Sequence, residues 1–260
     1  MGTRYAGRVS RQRRAVTAIR VVTPQRRMGD SVTQWPAEIR KDQAGQPLAD
    51  FEQVHTAMAM RVNVSPKRLV APGPSAQQLD RLLSMAAMAP DHGHLLPWRF
   101  VLIPPEQRSL LGDAFVSALI ARDPCATLEQ IESAADKAHR APLLLLAVAC
   151  PANPDRGIPA IEQYVSLGAA IQNLLLGATA MGFGSGLTSG QAMDSTALRT
   201  LFRLTANESA VCFVNIGMVG EHKVSKRVRP VQCITSLDSD QPRYLPAVLV
   251  ASVPNPIGLE

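Results

Sequence analysis

The run Ala89-Pro90-Asp91-His92-Gly93-His94-Leu95-Leu96-Pro97-Trp98-Arg99-Phe100-Val101-Leu102-Ile103 decides how the chain is read. Its second half alternates and is rich in β-formers, so it predicts a strand over 98–103 that stops at Pro104-Pro105. Its first half is polar and is wedged between that strand and a preceding helix. Ser75 is a good N-cap for this helix, which is expected from Ala76 to about Met88 with Leu79, Leu82, Leu83, Ala86 and Ala87 inward. A polar turn at the edge of a sheet is a common place for a ligand. Asp91, His92 and His94 have metal-ligand chemistry, but they are too few for a closed site, so no metal is expected.

Outward from this turn, the strongest signal is Leu143 to Ala149 (LLLLAVA), a continuous apolar run of strand length, as for a strand buried on both faces. Pro159 opens a long helix to Met181, with Leu167, Ile171, Leu174, Leu175, Ala178 and Met181 at helical spacing, and Gly182 stops it. Helices are also expected over 51–60, 106–122, 128–140 and 195–202, and a strand over 210–218. The segment Gly182 to Gly190 reads as a flexible connection. It fails the dinucleotide fingerprint, because Leu187 stands where a third glycine would be needed and because it follows a helix. With helices leading and few strands, the class is α/β or α+β with one sheet.

Charge is unevenly distributed. The chain has 260 residues and a net charge of +6, but residues 1–27 hold eight arginines and no acid, leaving 19 basic against 21 acidic residues. The basic balance therefore belongs to an arm over 1–50. Such an arm is either a solvated extension or a contact for polyanions. The core has few aromatics for base stacking, and nucleic acid is not expected as its partner. Cys125, Cys150, Cys212 and Cys233 are scattered without a CxxC pair, as in a reduced cytoplasmic protein. The uncharged stretch from Val165 to Met193 is interrupted by Gln172, Asn173 and glycines, so no membrane span is expected. Lys226-Arg227-Val228-Arg229 is either a phosphate clamp or a solvated surface cluster. No nucleophile–base arrangement or paired carboxylates can be argued from spacing.

Taken in order, these segments resemble one family. Ala89-Pro90-Asp91-His92 and Pro97-Trp98-Arg99-Phe100 are similar to the signature of the nitroreductases, in their small A-P-D-H branch. Arg61-Val62-Asn63 stands where the family has Arg-Arg-Ser. Gly168 to Asn173 through Gly182-Phe183-Gly184 resembles its central helix and exit. Val214-Asn215-Ile216-Gly217 with Arg227 and Arg229 resembles its last core strand and basic tail. The likeness covers about 50–235, which makes that span one flavin-binding domain, followed by an extension over 236–260.

The resemblance implies an α+β fold with a central mixed sheet flanked by helices, in an intertwined homodimer that binds flavin mononucleotide (FMN) at its interface. It implies NAD(P)H as reductant and a nitro compound, quinone or similar small molecule as acceptor, with the flavin carrying the chemistry and no catalytic side chain required. Carried over by position, Arg61 meets the flavin phosphate, and Val62 replaces a second arginine. Asn63 meets the pyrimidine edge or ribityl chain. Met88 and His92 lie against the ring, with His92 reaching the partner's flavin. Leu187, Thr188 and Ser189 hydrogen-bond ring and phosphate, and Arg227 or Arg229 completes the clamp. Leu187-Thr188 replaces a Trp-Arg pair, which removes positive charge from the phosphate site. The alternative implied is a flavin-binding protein with little turnover, a reservoir or sensor.

Overall fold

The apolar run 143–149 becomes the centre of the sheet. The computed structural model describes residues 51–152 and 157–220, together with the short strand Val21–Val22. In chain order the elements are β1 (Val21–Val22), α1 (Phe51–Met60), β2 (Leu69–Val70), α2 (Ala76–Ala86), β3 (Trp98–Leu102), α3 (Arg108–Arg122), α4 (Leu128–Asp136), β4 (Leu143–Ala149), α5 (Ala160–Ala180), β5 (Gly184–Thr188), α6 (Thr196–Leu201) and β6 (Ser209–Val219). The arm over 1–50 apart from β1, the cluster with Arg227 and Arg229, Cys233 and the extension over 236–260 lie outside the described residues.

β4 is buried along its whole length because both of its faces are covered. Successive strand side chains point to opposite faces. Leu143, Leu145 and Ala147 meet α2 and α5, in a cluster with Leu82, Leu167, Ala170, Leu174 and Ala178. Leu144, Leu146 and Val148 meet Leu111, Leu198 and Phe202 from the α3 and α6 side. The result is three layers, helix on sheet on helix.

β4 pairs antiparallel with β3, Trp98 opposite Ala149, and with β6, Leu143 opposite Ile216, with a bulge at Ala147/Val148. β6 pairs on its other edge with β5, Gly184 opposite Gly217 and Thr188 opposite Phe213. Every pairing between these strands is antiparallel; among the described residues the parallel component of the sheet is one bridge, between Asn63 and Ser185. The segment read as a flexible connection is therefore an ordered strand. Its glycines remove the side chains that would mark it by alternation, and β6, eleven residues long, offers it a ladder of backbone partners.

Local chemistry sets the element ends. Ser75 accepts from the Gln78 N–H while Gln78 accepts from the Ser75 N–H, a reciprocal box that starts α2, and Thr127 and Gln130 repeat it at α4. Arg108, in the first turn of α3, is buried without a carboxylate among its described hydrogen-bond partners. Its guanidinium donates to the carbonyls of Ile103 (2.8 Å), Ala138 (2.7 Å), Ala141 (3.1 Å) and Pro142 (3.3 Å). It ties the entry of α3 to the chain that enters β4, and burial pulls its pKa below the usual guanidinium value. No helix among the described residues is long and apolar enough to cross a membrane.

Candidate functional site

β5 is the element around which the predicted residues gather. Val64 N–H donates to the Ser185 carbonyl at 2.8 Å, and Asn63 Oδ1 accepts from the Leu187 N–H at 3.1 Å. Asn63, expected at a ligand, thus fastens the segment after α1 to β5. A Cβ on Gly186 would lie 2.2 Å from the Val64 carbonyl oxygen, so only glycine allows the two backbones this close. Val62 packs with Val64, Leu69 and Ala141 in a small apolar cluster, and Arg61 stands half-buried at the exit of α1.

Asn215 reads as a polar intrusion in an otherwise apolar strand. It is buried, and its Nδ2 donates to Thr188 Oγ1 (3.0 Å) and to the carbonyls of Gly186 (3.2 Å) and Phe213 (3.3 Å). Because Thr188 Oγ1 accepts from Asn215, its own hydroxyl proton is the group left to donate elsewhere.

Thr188 lines a cavity of about 730 Å³ between the sheet and α3 and α4. Phe115, Leu144, Met193 and Phe213 give it an apolar, partly aromatic wall. Thr188, Ser189 and Asn215 supply polar groups, and Arg122, Lys137 and Arg140 stand around it against one acid, Glu129. A planar aromatic body with an anionic tail suits an aromatic wall with a cationic margin. Of the sequence-predicted residues, Thr188 and Ser189 line this cavity. Lys137, Arg140 and Asn215 were not anticipated; the polar residue inside β6 was the one signal available for them.

Met88 and His92 lie elsewhere. His92 Nδ1 is 2.8 Å from Glu162 Oε2, in the first turn of α5, and Met88 is exposed beyond α2. α2 and α5 cover the face of the sheet opposite α3, so within one chain these residues do not meet the cavity. α1 and the start of α5 expose several large apolar side chains. α1 has no buried residue, and Phe51 (71%), Met60 (67%), Ile161 (70%) and Val165 (67%) are exposed. Large apolar side chains this exposed are candidates for an association surface.

A second polar cluster ends β4. Glu208 accepts from Arg99 Nε (2.7 Å), the Thr205 N–H (2.9 Å) and the Cys150 thiol (3.3 Å). Burial alone would raise the Glu208 carboxyl, but these three donors outweigh it and hold it at about 2. Burial, and then the Glu208 carboxylate, push the Cys150 thiol up to about 12; burial pushes Cys212 up to about 11. Neither sulfur is a thiolate at neutral pH, so neither is a nucleophile. The cluster is structural.

Comparison with known proteins accords with this architecture. A family model described as the nitroreductase family matches residues 65–218. A protein of Haemophilus influenzae named "Putative NAD(P)H nitroreductase" is 34% identical over 167 residues, which is 64% of this chain and 89% of that protein. A nitroreductase-like family protein from Bacillus cereus has the same fold at a TM-score of 0.61 and 20% identity, over 74% of this chain and 100% of its own. A nitroreductase with bound FMN from Bacteroides fragilis aligns at a TM-score of 0.52 and 19% identity, over 68% of this chain and 95% of its own.

Proposed function

The chain belongs to the nitroreductase family, and on that premise we propose that it is an FMN-dependent oxidoreductase that takes a hydride from NAD(P)H and passes it to a nitro compound, quinone or similar small acceptor. The observation that carries this reading is the cavity, which joins Thr188 and Ser189 to an aromatic wall and a basic margin.

The donor set fits FMN. When bound, the flavin supplies the hydride chemistry, and the protein binds, orients and shields it. Lys137 and Arg140 offer two cations for the phosphate, offsetting the charge lost at Val62 and Leu187-Thr188. Thr188, with its oxygen engaged by Asn215, presents a donor of fixed direction, and the Ser189 hydroxyl adds a second. Phe115 and Phe213 line the wall and exclude water from a flat apolar ring. Arg61 is proposed to reach the same phosphate, with Arg227 or Arg229 completing the clamp.

The purified protein is expected to show flavin absorption bands after reconstitution with FMN, and these bands should bleach anaerobically with NADH or NADPH. Lys137→Ala/Arg140→Ala should weaken FMN binding about a hundredfold, on the scale of about 1.5–3 kcal/mol for each charge-assisted contact. Titration of apoprotein with FMN measures it, and unchanged affinity would move the phosphate elsewhere. Bands that bleach without acceptor-dependent turnover would favour the reservoir or sensor.

A homodimer is proposed because α1 has no buried residue and, with the start of α5, leaves large apolar side chains exposed, in keeping with the resemblance. The apolar surface of α1 and early α5 is the proposed contact. Val165→Glu should give a monomer in light scattering, since a charge buried in an apolar contact is not tolerated. A dimer that persists in this variant places the interface elsewhere.

A further inference from the structure

The cavity has two polar poles, and the FMN phosphate takes one of them. Arg108, at the start of α3, donates to the carbonyls of Ala138 and Ala141, so the start of α3 lies beside the end of α4 and the two helices run antiparallel. Arg122, in the last turn of α3, therefore stands beside Thr127 and the start of α4, whereas Lys137 and Arg140 follow its end. The rise from Thr127 to Lys137 is about 15 Å along the helix axis. Asn215 lies opposite Leu144, close after Arg140 in the chain, so its partner Thr188 falls at the Lys137–Arg140 pole. Phe115, midway along α3, packs edge to face on Phe213 at 5.6 Å between ring centroids and stands between the two poles.

The Arg122 pole is rich in donors. Thr127 Oγ1 accepts from the Gln130 N–H (3.3 Å), and Gln130 Oε1 accepts from the Thr127 N–H (2.8 Å). The oxygens of both side chains are thus engaged by backbone, which leaves the Thr127 hydroxyl proton and the Gln130 amide N–H groups to the cavity that both residues line. Arg122 lines it too, and its guanidinium forms no ion pair among the described residues. A planar guanidinium fork backed by an amide and a hydroxyl donor matches two coplanar oxygens that share a negative charge. Glu129, exposed on the first turn of α4, weakens the pull of this pole on an anion without occupying the guanidinium.

We propose that Arg122 determines acceptor specificity. It selects, among small aromatic acceptors, those that carry a carboxylate remote from the reducible group, with Thr127 and Gln130 donating to the same carboxylate. A cavity of about 730 Å³ is in the upper part of the span of about 300–1,000 Å³ usual for pockets of this kind, so a small acceptor has space beside the cofactor. This role rests on the function proposed above, with the phosphate at the Lys137–Arg140 pole.

The test uses the full chain reconstituted with FMN and whichever nicotinamide nucleotide bleaches the flavin. kcat/KM is measured for 4-nitrobenzoate and for 4-nitrobenzamide, which has the same shape and nitro group but no charge. The two differ in intrinsic reducibility, and this difference cancels when parent and variant are compared. Arg122→Gln should lower the benzoate-to-benzamide ratio about tenfold, the lower end for one charge-assisted contact because the side chain is exposed. Arg122→Lys, a point charge without the fork, should lose an intermediate amount. Glu129→Gln should raise the ratio severalfold. Calorimetric titration of the oxidised protein with benzoate, which has no group to reduce, should show the same order of affinities. A ratio unchanged in Arg122→Gln overturns the proposal, as does benzoate binding indifferent to that substitution. FMN affinity lowered by Arg122→Gln with the ratio unchanged assigns the pole to the cofactor instead, and also overturns it. Missing flavin bands, or no turnover of either acceptor, overturn the proposed function and this role together, whereas turnover of both with an unchanged ratio overturns this role alone.

Discussion

Arg108→Met is expected to destabilise the protein by about 3–5 kcal/mol, the range for stripping one partner from a buried charged network. The four carbonyls of Ile103, Ala138, Ala141 and Pro142 now share one guanidinium. Methionine fills most of the volume but leaves all four acceptors buried without that donor. Lysine keeps the charge, but its ammonium is a point donor and does not span carbonyls presented from two stretches of chain, so Arg108→Lys should lose an intermediate amount. Denaturant unfolding followed by far-ultraviolet circular dichroism measures both variants, with the slope expected to stay constant. A methionine variant within about 1 kcal/mol of the parent would show that water satisfies these carbonyls instead.

Gly186→Ala is expected to have the largest effect on cofactor binding of any single methyl group. The added Cβ would stand 2.2 Å from the Val64 carbonyl oxygen, a backbone atom that no rotamer change can move. The segment after α1 has to retreat from β5. It then loses the Val64 to Ser185 hydrogen bond and the Asn63 to Leu187 contact. Thr188, two residues on, loses the register that sets its hydroxyl against Asn215. The expected result is a loss of about 2–4 kcal/mol in stability, as for overpacked sites, together with FMN binding weakened at least about a hundredfold. Titration with FMN at a temperature where the variant remains folded separates the two effects. Parent-like affinity would mean that the close approach of these backbones has no part in the site.

The parts of the fold that were legible in the sequence are those whose side chains repeat a period. LLLLAVA admits one reading because no polar residue marks a solvent face, and α5 carries its apolar stripe over 21 residues. Ser75 marks the start of α2 through a local hydrogen bond with a short sequence span. β5 was illegible for the opposite reason. Gly184, Ser185 and Gly186 display almost no pattern, and the strand exists because the edge of β6 and the backbone near Asn63 need partners. The turn at Pro90–His94 was found as a site of interest, but its relation to Glu162 spans 70 residues and leaves no trace in spacing. The cavity is the extreme case. Lys137 and Arg140 follow α4 like any surface cations, and Thr188 comes some fifty positions later; only the antiparallel return of β6 brings its wall together. Charge was expected at Arg61, Arg227 and Arg229 because those lie in recognisable strings, whereas the cations around the cavity are isolated in sequence.

The three-layer arrangement has an evolutionary consequence. The cavity is carved on the α3 side of β4 and β6, whereas the surface assigned to self-association lies on the α2–α5 side, and the two layers have separate apolar clusters. A substitution in α3 or α4 that reshapes the cavity therefore does not disturb the packing beneath α5. The lining of the cavity is thus free to vary in sequence while the packing between the sheet and α5 is held constant, so the two halves of the core can evolve at different rates.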